Sequence, residues 1–156
     1  MSDSVQIIDY RPEFKKDYIA INEAWIKKDY TLEELDIQEL HNLEEYILKD
    51  GGAIILALIK DKVVGTCALQ YKEKGVFEMV KMAVNDGFKG LGIGNKLCEG
   101  IIDKAKELNA NEIILYSNTQ YSVVAIKLYR KYGFIEIPLG KTDWNRADIK
   151  MELNLL

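Results

Sequence analysis

The sequence predicts an α+β protein, with helices packed on one mixed, mostly antiparallel sheet. Three observations lead there. Strand-like apolar runs at residues 53–59, 63–71 and 76–84 follow one another through hairpin-length turns. Apolar residues recur at helical spacing on both sides of that meander. A short apolar run at 113–116 stands between two helical segments, as expected of a strand covered on both faces.

Residues 5–9 read as a first short strand. Pro12 suits the first turn of a helix, and Phe14, Tyr18, Ile21 and Trp25 form its apolar stripe. A second helical region, 32–49, carries Leu40, Leu43 and Ile47 on one face and is expected to break near 35–38. Gly51-Gly52 ends it. After the meander, a glycine-rich loop opens a helix with Leu97, Ile101, Ala105 and Leu108 facing inward. Residues 122–131 read as another helix, stopped by Gly133, and 134–137 and 146–153 as closing strands. No repeat or linker interrupts the pattern, so the 156 residues read as one domain, long enough to bury a core.

Composition narrows the function. Apolar residues make up 48% and charged residues 29%, ordinary values for a globular protein. A net charge of −4 argues against a generic nucleic-acid binder. No apolar run approaches the ~18 residues of a membrane span, and the first residues lack signal-peptide character. Cys67 and Cys98 lie within apolar patterns, which suggests a reducing, cytoplasmic setting and buried packing rather than a disulfide framework. His41, the only histidine, sits among Glu39, Glu44 and Glu45 as a solvated side chain. A single histidine excludes His-based triads and most metal sites, so no metal is expected.

The motif that carries chemistry is Glu78-Met79-Val80-Lys81-Met82-Ala83-Val84, followed by Lys89-Gly90-Leu91-Gly92-Ile93-Gly94-Asn95-Lys96. A strand leads into a loop stripped of side chains at the start of a helix. Backbone N–H groups there have no intrahelical partner, and the helix dipole favours an anion. A Rossmann loop needs G-x-G-x-x-G after the first strand of a parallel unit, whereas these glycines fall as G-x-G-x-G behind a meander. A P-loop needs Gly-Lys followed by a hydroxyl residue, and Gly94-Asn95-Lys96-Leu97 offers neither. A tight strand-to-helix turn with no ligand is the remaining bland reading.

The loop resembles the acetyl-CoA motif [QR]-x-x-G-x-[GA] of the GNAT superfamily of N-acetyltransferases, with Lys89 where Arg or Gln is usual. Asn118, Ala125 seven positions on, Tyr129 four further and Gly133-Phe134 resemble the family's spaced Asn, Ala, Tyr and Gly-Phe signature, and Glu78-x3-Met82-x-Val84 resembles its fourth strand. The resemblance implies that the fourth and fifth strands splay apart to admit pantetheine. Backbone at Met82, Ala83 and Val84 would line it as an added strand, and residues 89–96 would hold the pyrophosphate: Lys89, Gly90, Leu91, Gly92, Ile93, Gly94, Asn95 and Lys96. Asn118 would bond backbone or pantetheine. Lys127, Arg130 and Lys131 could approach the phosphates or be plain surface charge.

Glu78 is then the candidate general base, since an attacking amine must lose a proton. Period-two alternation places it on the same strand face as Val80, Met82 and Val84. Tyr129 is the candidate general acid for the departing CoA sulfur, against a reading as a core tyrosine. Cys98 lacks an activating partner, which favours direct transfer in a ternary complex over an acyl-enzyme. Trp25, Tyr30, Tyr46, Tyr71, Trp144 and Arg146 are candidates to wall the acceptor side, Arg146 by gripping a carboxylate. The expected function is acetyl transfer from acetyl-CoA to a primary amine of unidentified type. The alternative is a non-catalytic acyl-CoA-binding or sensing domain, and the family's habit of pairing leaves a homodimer open.

Overall fold

A computed structural model describes residues 4–142 and 146–156. Seven strands form one sheet in the order β1-β2-β3-β4-β5-β7-β6: β1 Gln6–Asp9, β2 Ala53–Ile59, β3 Lys62–Glu73, β4 Val76–Val84, β5 Glu112–Ser117, β6 Ile135–Ile137 and β7 Ile149–Asn154. Among the described residues only the β4–β5 pairing is parallel, so the mixed, mostly antiparallel sheet matches the expectation.

Helices α1 (Lys15–Asp29) and α2 (Glu34–His41) cover one face, and α3 (Ile93–Glu107) and α4 (Val123–Lys131) the other. Alternation along β2 builds both cores: Ile54, Leu56 and Leu58 pack toward α1 and α2, Ile55, Ala57 and Ile59 toward α3. The buried stripe of α1 runs through Tyr18, Ile21 and Ile26. Trp25 falls off that stripe and is exposed, contrary to the periodicity drawn from the sequence. The break in the second helical region falls after His41, followed by a π-helical turn Glu44–Leu48, and not near 35–38. A capping box explains the intact start of α2: Glu33 and Asp36 exchange side-chain-to-backbone bonds across its first turn. His41 is exposed, its Nε2 lying 3.5 Å from Glu23.

Strand β5 is covered unevenly. Ile113 and Leu115 are buried under α3 and α4, whereas Ile114 and Tyr116 are only half-buried. The α1–α2 layer stops over β4, leaving the other face of β5 partly open.

Candidate active site

Two interruptions of β4 make the site. The first is on its β5 edge. Pairing runs through Val76–Glu112, Phe77–Ile113 and Glu78–Ile114, and then stops. Past Glu78, β4 keeps its β3 neighbour and β5 keeps β7, so the two parallel strands diverge. Glu78 sits on the last rung, at the apex of the gap.

The second is a bulge. Thr66 pairs with Ala83 and Ala68 with Val80, so Lys81 and Met82 together oppose Cys67. Lys81 adopts φ +57°, a left-handed conformation that costs an L-residue about 1–2 kcal/mol. This corrects the alternation expected from the sequence: Val80 packs on the α1–α2 core, while Met82 and Val84 pack toward α3. Glu78 and Val80 therefore share one face, and Met82 and Val84 lie on the other. Ala83 is buried on the α1–α2 side. Backbone contacts do not need the side chains on one face, and the Met79-to-Val84 backbone remains unpaired by β5.

Glu78 is buried, and desolvation pushes its carboxyl above the ordinary range. Lys72 Nζ, 3.6 Å away, opposes that shift, as does Lys81, while Glu39 adds to it. Its strand neighbour Gln70 donates to the Tyr46 carbonyl at 3.2 Å.

The glycine loop follows. Asn85 accepts from the Gly87 N–H, forming a short 3-10 turn at Asp86–Phe88. Gly90 at φ +81° and Gly92 at φ +76° then turn the chain into α3. Gly92 is the N-cap, so no side chain there satisfies the first N–H groups of α3. Around Gly90 and Gly92 an added Cβ would meet nothing within 4 Å, so the space in front of the loop is open. An anionic pyrophosphate fits such a start of a helix. Leu91 is exposed and Ile93 buried, so each could contribute by backbone. Lys96 is exposed, while Lys89 is drawn to Asp86 at 3.1 Å. Of the cations near α4, Lys131 reaches the loop, donating to Asn95 Oδ1 at 2.6 Å. Arg130 lies 3.8 Å from Glu136. Gly94 has a packing role, since a Cβ there would stand 3.1 Å from Leu128 of α4.

Tyr129 on α4 is buried beside Phe134, ring centroids 5.9 Å apart, and burial holds its phenol well above the ordinary value. Burial pushes the Cys98 thiol up to about 12, so it is no thiolate at neutral pH. Asn118 is engaged at both ends of its amide: it accepts from the Gln120 and Tyr121 N–H groups and donates to the Arg146 carbonyl at 2.8 Å.

The α1–α2 side of the gap gathers some of the residues named from sequence as acceptor candidates and not others. Trp25, Tyr30 and Tyr121 form a ladder, with centroids 6.4 and 5.4 Å apart, and the Arg146 guanidinium lies 5.1 Å over Tyr30. Arg146 pairs in bidentate fashion with the wholly buried Asp36, at 2.6 and 3.2 Å, instead of standing ready for a ligand carboxylate. Tyr71 packs edge-on against Phe77, on the face opposite Glu78. Trp144 lies outside the described residues. Tyr121 and Asp36 also line this side, and neither carries a binding motif in the sequence. Asp36, three residues after Glu33 at a helix start, carried a capping signal only.

A sheet splayed at its one parallel pairing, with a glycine-led helix start beside the gap, defines the acyl-CoA N-acyltransferase fold. The Acetyltransferase (GNAT) family model matches residues 13–134, and the chain belongs to that family. A GNAT-family acetyltransferase from Staphylococcus aureus Mu50 superposes with a TM-score of 0.87 at 27% identity, over 98% of this chain and 100% of its own. The Salmonella typhimurium protein yncA, solved with its cofactor acetyl-CoA, shares the fold at TM-score 0.74 and 19% identity, over 98% of this chain and 95% of its own. N-acetylaspartate synthetase of Xenopus tropicalis is 31% identical over 98 residues, 62% of this chain and 36% of its length. The chain thus spans about a third of the length of such relatives. Among the described residues no helix is long and apolar enough to cross a membrane.

Proposed function

We propose that this chain is an acetyl-CoA-dependent N-acetyltransferase acting on a primary amine by direct attack in a ternary complex. The observation that carries the reading is the position of Glu78, a buried carboxylate on the last β4–β5 rung. Acetyl-CoA supplies the thioester carbon that the amine attacks. Met82, Ala83 and Val84 offer backbone to pantetheine, and residues 89–96 offer N–H groups to the pyrophosphate. Glu78 accepts the amine proton, directly or through a water, and its raised pKa makes it a stronger base than a solvated glutamate. A β4 N–H near Val80 to Met82 bonds the oxygen that gains charge. Tyr129 keeps its proton at neutral pH and donates a hydrogen bond to the leaving sulfur; the thiolate takes its proton from solvent, to which Glu78 releases the one drawn from the amine.

The test is thiol release from acetyl-CoA across an amine panel of polyamines, amino acids including aspartate, aminoglycosides, peptides and protein lysines. Aspartate is included because of the names of the N-acetylaspartate synthetase relatives. Turnover with at least one amine is expected, reduced roughly a hundredfold by Glu78→Gln and at least about tenfold by Tyr129→Phe. CoA binding without turnover on any amine would support the sensing domain instead.

A further inference from the structure

The buried polar residues among those described are Asn22, Asp36, Thr66 and Glu78. Asp36 holds Arg146, and Glu78 is the candidate base. Asn22 and Thr66 have no part in the chemistry set out above, and both converge on the β4 bulge. Thr66 Oγ1 donates to the Lys81 carbonyl at 2.7 Å. Asn22, on α1, donates to Thr66 Oγ1 at 3.1 Å and to the Tyr18 carbonyl at 2.9 Å. The side chain of Lys81 is held as well: its Nζ lies 3.0 Å from Glu39 of α2, with only 7% and 13% of the two side chains exposed.

We propose that Asn22, Thr66 and Glu39 are positioning residues that clamp Lys81 at its carbonyl and its ammonium, and so set the register of β4 along the cofactor gap. The proposal rests on the acetyl-transfer reading for its consequence, and on the hydrogen-bond geometry for its existence. A bulge puts one residue outside the regular ladder, and a left-handed L-residue persists only when its surroundings over-determine it. Hydroxyl and amide groups in an apolar layer are costly unless bonded to each other. Valine at position 66 and an unbulged strand would satisfy the core more simply. The bulge begins three residues past Glu78, within the stretch that β5 leaves unpaired. If β4 regularised there, the one-residue slip would carry Met82 and Val84 to the opposite face and re-aim the backbone beyond Val80.

Thr66→Val keeps the shape and removes the donor, and Thr66→Ser restores it. With an amine that the wild type accepts, Thr66→Val is expected to lower kcat about tenfold or more and to raise KM for acetyl-CoA about fivefold or more, because the re-aimed backbone is the one offered to pantetheine. Thr66→Ser should recover to within about threefold. Amide hydrogen exchange should accelerate at residues 79–84 in Thr66→Val while residues 54–58 of β2 stay protected. Should Thr66→Val not fold, Glu39→Gln, compared on the high-pH plateau where Glu78 is ionised in both proteins, carries the same two readouts. Unchanged kcat and unchanged exchange would overturn the clamp, as would acceleration spread evenly over the sheet, which marks lost stability alone. If the wild type turns over no amine, the acetyl-transfer reading fails, and the localised exchange pattern still decides whether the clamp exists.

Discussion

Glu78 is held at an energetic cost, and that cost has a sign. Its carboxyl sits above the ordinary range chiefly because burial disfavours the charge, with Lys72 offsetting part of the shift. A carboxyl with a raised pKa in the fold binds more protons folded than unfolded as pH climbs above about 4. Its contribution to stability is therefore full at lower pH and is lost as pH rises through the raised value. Glu78→Gln should melt a few degrees higher than the wild type at pH 7, with the difference closing near pH 4, as thermal scans at both values would show. The same group sets the acid limb of the rate profile. That limb should lie above the usual carboxylate range and vanish in Glu78→Gln, checked by kcat/KM against pH. A variant both less stable and equally active would remove Glu78 from the site.

The glycine loop and the bulge differ in how legible they were. Gly90 and Gly92 could be read because left-handed backbone at a helix start favours glycine, and the structure places both there. Gly92→Ala is expected to raise KM for acetyl-CoA about tenfold while costing only about 1–2 kcal/mol of stability, since its Cβ meets nothing and only the backbone is strained. Steady-state kinetics beside urea titration separates the two effects, and a change in stability alone would take the loop out of cofactor binding. The bulge was invisible. It arises from a pairing offset between β3 and β4, and the residue in left-handed conformation is a lysine, so no composition signal marks it. Strict alternation consequently put Met82 and Val84 on the wrong face. The α1 stripe erred more mildly, because Trp25 and Ile26 are adjacent and packing chose the smaller. Element order and type were otherwise readable from period and turns, and element ends moved by one to three residues in most strands.

Between the halves of the sheet, β1–β4 and β5–β7, only three parallel rungs are formed. On the α1–α2 side, the Asp36–Arg146 pair and the Tyr30–Tyr121 contact span the same divide. A contact between residues 110 apart has no local pattern, which is why Arg146 looked like a free ligand-binding cation in the sequence. Arg146→Met leaves a wholly buried carboxylate without its ion-pair partner and should cost about 3 kcal/mol in chemical denaturation. A loss within ordinary surface values would show that the strap carries no stability. At the scale of the whole molecule, we propose that the gap between β4 and β5 is the acetyl-CoA site. A crystal structure with CoA tests it most directly. Pantetheine is expected between the diverging strands along residues 82–84, pyrophosphate on the N–H groups at the start of α3, and sulfur near Tyr129. CoA bound elsewhere, with the gap bridged by side chains alone, would contradict it.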